Sequence, residues 1–143
     1  PYIINSEYIA NSLRETLHKM GKTVLLFEGG KSKNIDAKVI NYGVNGTLNV
    51  LRHLKMLPGE PEKSKQRSVQ KSKWIRAKYS GLVTIKVENG SWVKKKDVLG
   101  IIQDPFGEFE KKIYAPFDCA VFCINNAPII NKGNALFHVS LEQ

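Results

Sequence analysis

The sequence predicts an α+β protein in two parts, a helix-strand-helix piece as far as Leu57 and an all-β domain from Trp74 onward. Three observations carry this. Apolar residues recur at helical spacing on both sides of one continuous apolar run between Asn5 and Lys55. Hydrophobicity then falls away between Pro58 and Lys73. After Trp74, short alternating segments are separated by turn residues, and the pattern occurs twice.

Between Asn5 and Met20, the residues Ile9, Leu13, Leu17 and Met20 recur at spacings of four and three, while Glu7, Arg14, Glu15 and Lys19 lie elsewhere around the axis. Asn5 or Ser6 is placed to cap the start of this helix, and Gly21 to follow its end. Thr23-Val24-Leu25-Leu26-Phe27 is a continuous apolar run ending at Glu28-Gly29-Gly30. It predicts a strand buried on both faces, of the kind found in the middle of an α/β sheet. A second helix is predicted from near Asp36 to about Lys55, with Val39, Ile40, Val44, Leu48, Leu51 and Leu54 as its apolar stripe. Gly43 and Gly46 each weaken that helix by roughly 1 kcal/mol relative to Ala; we read them as points of close approach to a neighbour. One central strand does not make a sheet, so residues 1–57 read as the remnant of a larger α/β domain. Residues 58–73, with two prolines and several Lys and Ser, read as a linker.

Residues 74–143 read as a β-rich closing domain. The predicted strands are Trp74–Tyr79, Leu82–Glu88, Val98–Gln103, Glu110–Tyr114, Ala120–Asn125 and Ala135–Ser140. Gly81-Leu-Val-Thr-Ile-Lys-Val, a turn at Asn89-Gly90, a lone Val93, the turn Lys96-Asp97 and a strand through Ile101-Ile102 form one copy of a repeat. Cys119-Ala-Val-Phe-Cys-Ile-Asn, a turn at Ala127-Pro128, a lone Ile130, the turn Gly133-Asn134 and a strand through His138-Val139 form the second, one residue shorter. Two such units facing each other close a small β-sandwich, an arrangement that resembles the biotinyl/lipoyl-type barrel-sandwich hybrid.

The chain holds 143 residues, 42% hydrophobic and 24% charged, the balance of a soluble globular protein. No apolar run approaches the roughly 20 residues of a membrane helix. The net charge of +9 lies largely in two runs, Lys63 to Lys73 and Lys94-Lys95-Lys96. No aromatics interleave with the first run as a single-strand binding platform requires, so solvated loop charge is preferred over a nucleic-acid surface. The opening at Pro1, without Met or a signal pattern, is what a piece of a longer protein would show. Cys119 and Cys123 lie four apart in a β-rich stretch, which places them on one face of a strand and forbids a disulfide between them. Two reduced thiols point to a cytoplasmic setting.

Glu28 stands out as the candidate catalytic residue. It follows the run Thr23–Phe27, hence sits at the carboxyl end of a predicted buried strand, the edge of an α/β sheet where catalytic groups gather. The glycines behind it permit a tight turn. From position alone, a carboxylate that caps the next turn is the commoner role. His18, His53 and His138 begin no HxxE or HExxH pattern, and the spacing of His138 and Glu142 falls at the terminus. A zinc site needs three protein ligands converging from ordered positions, so no metal ligands are assigned. No phosphate loop, nucleophile elbow or Cys/His nucleophile pattern occurs either.

Four segments, in order, resemble the C-terminal portion of the succinylglutamate desuccinylase/aspartoacylase family, which is zinc-carboxypeptidase-like. They are Val24-Leu-Leu-Phe-Glu-Gly-Gly; Gly43-Val-Asn-Gly-Thr-Leu-Asn-Val-Leu-Arg-His-Leu-Lys-Met-Leu57; Trp74-Ile-Arg-Ala; and Leu99-Gly-Ile-Ile-Gln-Asp-Pro-Phe-Gly107 with Ala115-Pro-Phe-Asp118. Lys55 stands where the family helix often ends in Gly, and Cys119 where a turn Gly is usual. The resemblance implies that Glu28 is the general base and acid of a zinc-dependent hydrolase acting on a small-molecule N-acyl amino acid. It implies that the zinc ligands, an HxxE motif and a later His, lie in an N-terminal catalytic portion of the same polypeptide, and that this chain alone is inactive. The alternative is a biotinyl/lipoyl-like carrier module without catalysis. Its modifiable lysine would belong at the tip joining the repeats, yet Asp104-Pro-Phe-Gly-Glu-Phe-Glu-Lys-Lys112 lacks the usual Met-Lys-Met or Asp-Lys-Ala.

Overall fold

Residues 2–31, 34–63 and 65–141 are described in a computed structural model of the chain. They are mostly β with two helices, and fall into two units, Pro1–Ser6 with Gln66–Gln143, and Glu7–Lys65. No described helix is long and apolar enough to cross a membrane.

In the first unit, β1 (Tyr2–Ile4) pairs in parallel with β2 (Arg67–Val69). The strands β3 (Ser72–Arg76), β4 (Gly81–Ile85), β5 (Trp92–Val93), β6 (Val98–Gln103), β7 (Glu110–Tyr114), β8 (Cys119–Ile124), β9 (Ile129–Ile130) and β10 (Ala135–Ser140) form two antiparallel sheets. Their orders are β3-β10-β8-β5 and β7-β6-β4-β9. Replacing β3 to β6 by β7 to β10, and the reverse, turns one sheet into the other. The duplication read from the sequence is therefore a four-strand unit, and each copy places its first and third strands in the sheet built on the other copy's second and fourth.

Hydrogen bonds repeat along with the strands. The Ala77 N–H donates to the Asn134 carbonyl and the Ala115 N–H to the Asp97 carbonyl, both at 2.9 Å. The Gly133 N–H reaches the Ala77 carbonyl and the Lys96 N–H the Ala115 carbonyl, both at 2.8 Å. Lys96 takes the left-handed conformation (φ 74°) that Gly133 takes in the other copy (φ 91°). Bulges repeat too: Leu99 is the extra residue between the Val98–Tyr114 and Gly100–Ile113 pairs, and Leu136 the extra residue between Ala135–Arg76 and Phe137–Ile75. Both leucines are fully buried, and the lone anchors Val93 and Ile130 join them in the core.

The copies differ where they must. Gly100 and Phe137 occupy equivalent places, and a Cβ on Gly100 would lie 3.3 Å from the tip of the Phe137 ring and 3.1 Å from the Thr84 carbonyl. One large ring fills that part of the core, and its counterpart is a glycine. Gly81 and Cys119 are the other asymmetric pair. Cys119 is buried and its thiol is pushed up by burial, then by the Asp118 carboxylate. Cys123 is exposed rather than sharing its face, because a bulge at Phe122 (Val139 faces Val121, His138 faces Cys123) reverses the alternation between them.

The unit Glu7–Lys65 holds α1 (Leu13–Lys19) and α2 (Ala37–His53). The first helix starts later than its apolar spacing predicts. Its cap is Ser12, not Asn5 or Ser6: the Ser12 hydroxyl accepts the Glu15 N–H at 3.1 Å. Glu15 in turn accepts the Asn11 N–H and pairs with Lys19, and the Lys19 contact, followed by that N–H, holds its carboxyl below the usual range. The second helix matches its prediction, with the Asp36 carboxylate accepting the Lys38 and Val39 N–H groups. Thr23–Phe27, by contrast, forms no strand pairing among the described residues, and Leu25, Leu26 and Phe27 are 77%, 62% and 60% exposed. A strand needs neighbours to take its hydrogen bonds, and no described strand lies alongside this run. Not one described residue of this unit is buried.

Candidate active-site carboxylate

Glu28 ends the apolar run, and two glycines fix how that run meets α2. The Phe27 ring lies against Gly43, where a Cβ would come within 3.1 Å of it, and Val39 lies against Gly29, where a Cβ would come within 2.6 Å of its methyl. Gly43 thus has the close approach predicted from sequence, while a Cβ on Gly46 would meet nothing within 4 Å beyond its own helix. Gly30 adopts a left-handed φ of 85°, turning the chain directly after the carboxylate.

The Glu28 side chain is exposed. A turn-capping role predicts that it accepts a nearby backbone N–H, and it accepts none from Gly29, Gly30 or Lys31. Asp36 and Asp104 show what a capping carboxylate does in this chain. Asp104 accepts the Phe109 N–H at 2.9 Å and the Phe106 N–H at 3.1 Å, and the first of these bonds holds its carboxyl below the usual range.

Two of the three histidines are held by ring contacts. The His18 ring stacks on Tyr8 at 4.6 Å, while His53 is exposed in the last turn of α2. His138 on β10 is held between Trp74, stacked at 4.4 Å, and Phe122, tilted at 4.5 Å, with its Nε2 2.9 Å from the Ser72 hydroxyl. Phe122 in turn meets Tyr2, whose hydroxyl donates to the Gly90 carbonyl at 3.1 Å, so this aromatic row fastens β1 to the sheet. Glu142, the other half of the terminal His–Glu spacing, lies outside the described residues. Among those residues no three His, Cys, Asp or Glu side chains converge as metal ligands would. A zinc site does not fit the residues at hand.

Burial lowers the His138 pKa below its ordinary 6.5. The unfolded chain then takes up a proton at a higher pH than the folded one, and stability present above the ordinary value is lost as pH falls through the folded one. We expect the thermal midpoint of the β-unit to drop as pH falls below about 6.5, and His138→Gln to flatten that dependence. An unchanged slope in the variant would show that other groups set it.

The segment joining the repeats places Asp104 to Gly107 at the hairpin tip, while Lys111 and Lys112 lie within β7. That disfavours the carrier alternative, which needs its lysine at the tip. Intact-mass measurement of the protein from cells is expected to show no biotin or lipoate.

No protein-family model matches the sequence, and no curated protein matches it. Solved structures do. The ectoine utilization protein EutE (DoeB) from Ruegeria pomeroyi superposes with a TM-score of 0.88 at 20% identity, covering 99% of this chain and 47% of that one. A succinylglutamate desuccinylase from a Silicibacter species gives 0.82 at 19% identity, over 97% of this chain and 44% of that one. An aspartoacylase family protein from Mesorhizobium loti gives 0.71 at 20% identity, over 90% and 48%. The chain thus has the fold of part of a succinylglutamate desuccinylase/aspartoacylase-type protein, as the sequence resemblance implies. It spans about half the length of those structures.

Proposed function

We propose that this chain is part of a hydrolase that removes the acyl group from an N-acyl amino acid, with Glu28 as its general base and then its acid. The helical unit is, on this reading, the C-terminal edge of an α/β zinc-carboxypeptidase-like domain, and the β-unit a barrel-sandwich-hybrid-like domain. The observation that carries the proposal is the exposed carboxylate of Glu28 at the end of an apolar run, on a fold shared with desuccinylase- and aspartoacylase-type proteins.

The step assigned to Glu28 is proton transfer. It takes a proton from the water that adds to the acyl carbonyl carbon, and returns that proton to the nitrogen as the C–N bond breaks. The products are a carboxylic acid and a free amine, so atoms balance without further reactants. The zinc ion that the resemblance implies would take its ligands from the N-terminal catalytic portion of the polypeptide, outside this chain. Two reduced cysteines, Cys119 and Cys123, support a cytoplasmic setting.

The test is amine release by the full-length protein from a panel of N-acetyl and N-succinyl amino acids. One equivalent of free amine per carboxylic acid is expected from at least one substrate. No hydrolysis of any member would remove the reading.

A further inference from the structure

We propose that Val39 and Gly43 of α2 are positioning residues for Glu28: they fix where its carboxylate stands without meeting substrate themselves. The proposal rests on the hydrolase reading and adds to it what holds the general base in place. The observation is that both chain neighbours of Glu28 lean on one face of α2. The Phe27 ring is wedged between two glycines: a Cβ on Gly43 would lie 3.1 Å from its edge, and one on Gly29 would lie 3.4 Å from its tip. Gly29 is itself pressed against Val39, whose methyl a Cβ there would meet at 2.6 Å. Val39 and Gly43 lie four apart in α2, and so one above the other on the same face.

With Phe27 and Gly29 both turned towards α2, the residue between them is turned away from it, as alternation along the chain requires. The Glu28 side chain is exposed accordingly, and it accepts no N–H from Gly29, Gly30 or Lys31 that would anchor it. Its place is therefore set by the backbone of residues 27–29, which stands at the height that the α2 contacts allow. Those contacts have little slack. Val39 is β-branched and lies in a helix, where one χ1 rotamer is strongly preferred, so its methyl does not swing aside. Gly29 takes no left-handed φ, so alanine there is strained by this contact and not by its backbone. Carbon atoms pack at about 3.5–4.0 Å, so a methyl on residue 29 drives the segment off α2 by on the order of 1 Å. A displacement of that size in a reacting group costs up to about a hundredfold in rate. A methyl on Gly43 starts from a longer contact and displaces the ring less.

Steady-state kinetics of the full-length protein, on an N-acyl amino acid that it hydrolyses, test this, with melting temperature measured alongside. Gly29→Ala is expected to lower kcat by roughly ten- to a hundredfold and Gly43→Ala by roughly three- to tenfold. In both, KM should stay near the parent value, because neither residue meets substrate. Gly46→Ala makes the same exchange in the same helix with nothing beyond its own helix to meet, and should keep the parent kcat. Val39→Ala in the Gly29→Ala background removes the opposing methyl and should bring kcat back to within about threefold of the parent, a coupling that separate sites do not show. Parent-like kcat in Gly29→Ala, while Glu28→Gln loses turnover, overturns this proposal and leaves the hydrolase reading standing. So does a loss that Val39→Ala fails to restore, or a loss in Gly46→Ala as large as that in Gly43→Ala. Parent-like turnover in Glu28→Gln, or no turnover in the parent, removes the reading and this proposal with it. Should Gly29→Ala fail to fold, the comparison of Gly43→Ala with Gly46→Ala decides the matter.

Discussion

Replacing Glu28 by Gln in the full-length protein is expected to lower turnover on N-acyl amino acids by roughly two to four orders of magnitude, the usual worth of acid–base catalysis. Gln keeps the size and hydrogen-bonding capacity of the side chain but cannot accept a proton from water. Folding should be nearly unaffected, because the carboxylate is exposed and caps no backbone N–H of Gly29, Gly30 or Lys31. The packing that sets the turn, Phe27 on Gly43 and Val39 on Gly29, does not involve the carboxylate. Melting temperature and metal content are therefore expected to match the parent protein. A turn-capping role gives the opposite pattern. An amide still bonds a backbone N–H, so turnover would barely change and stability would shift by about 1 kcal/mol, the scale of one hydrogen bond. Parent-like turnover in Glu28→Gln would take this residue out of the mechanism. The affinity for substrate adds a finer reading: a general base acts in the transition state, so kcat should fall with little change in KM when KM reports binding.

How much of this was legible in the sequence depends on the range of the interactions that set each feature. β6, β7 and β10 run over the residues that alternation and turn chemistry predict, since both are local. The anchors Val93 and Ile130 were visible as β-branched residues between two turns, though each belongs to a two-residue strand, with Trp92 or Ile129, that no periodicity can define. The repeat was legible, but its first strand was not, because Ile75 and Ala77 match Ile113 and Ala115 over too short a stretch to stand out. β1 was missed for a different reason: its partner β2 lies far along the chain, inside a segment whose composition reads as a linker. The start of α1 had a readable signature, Ser12 followed by Glu15 at capping-box spacing, which the longer apolar spacing from Ile9 concealed. Thr23–Phe27 reads as a buried strand because that is what its sequence suits; no described strand pairs with it, so it does not form one. Glu28 was legible for the same reason, as the polar residue that ends the run. The bulge at Phe122 that turns Cys123 outward follows from the fit of β8 to β10, and no pattern within β8 announces it.

The largest stability effect is expected at Phe137. Its ring is fully buried and is the largest such side chain in the β-unit. The pseudo-twofold arrangement places Gly100 where a second ring would otherwise stand, and Gly100 has no side chain with which to fill a vacated space. Phe137→Ala should therefore leave a cavity that the neighbours close poorly, at a cost of about 3–5 kcal/mol. That is a large share of the 5–15 kcal/mol typical of a whole domain, so the β-unit should melt far lower or fail to fold at ordinary temperature. Gly100→Ala probes the same place from the other copy. Its new methyl would meet the Phe137 ring at 3.3 Å and the Thr84 carbonyl at 3.1 Å, and overpacking of this kind costs about 1–3 kcal/mol. In a Phe137→Ala background the contact with the ring is gone and only the backbone contact remains. The double variant should then lose less stability than the two single losses added together, with a coupling of about 0.5–3 kcal/mol. Simple additivity in urea unfolding would mean that Gly100 and Phe137 do not share one volume, and that the asymmetry between the copies has another cause. Should Phe137→Ala prove too unstable to measure, Phe137→Leu fills part of the space and carries the same cycle with smaller terms.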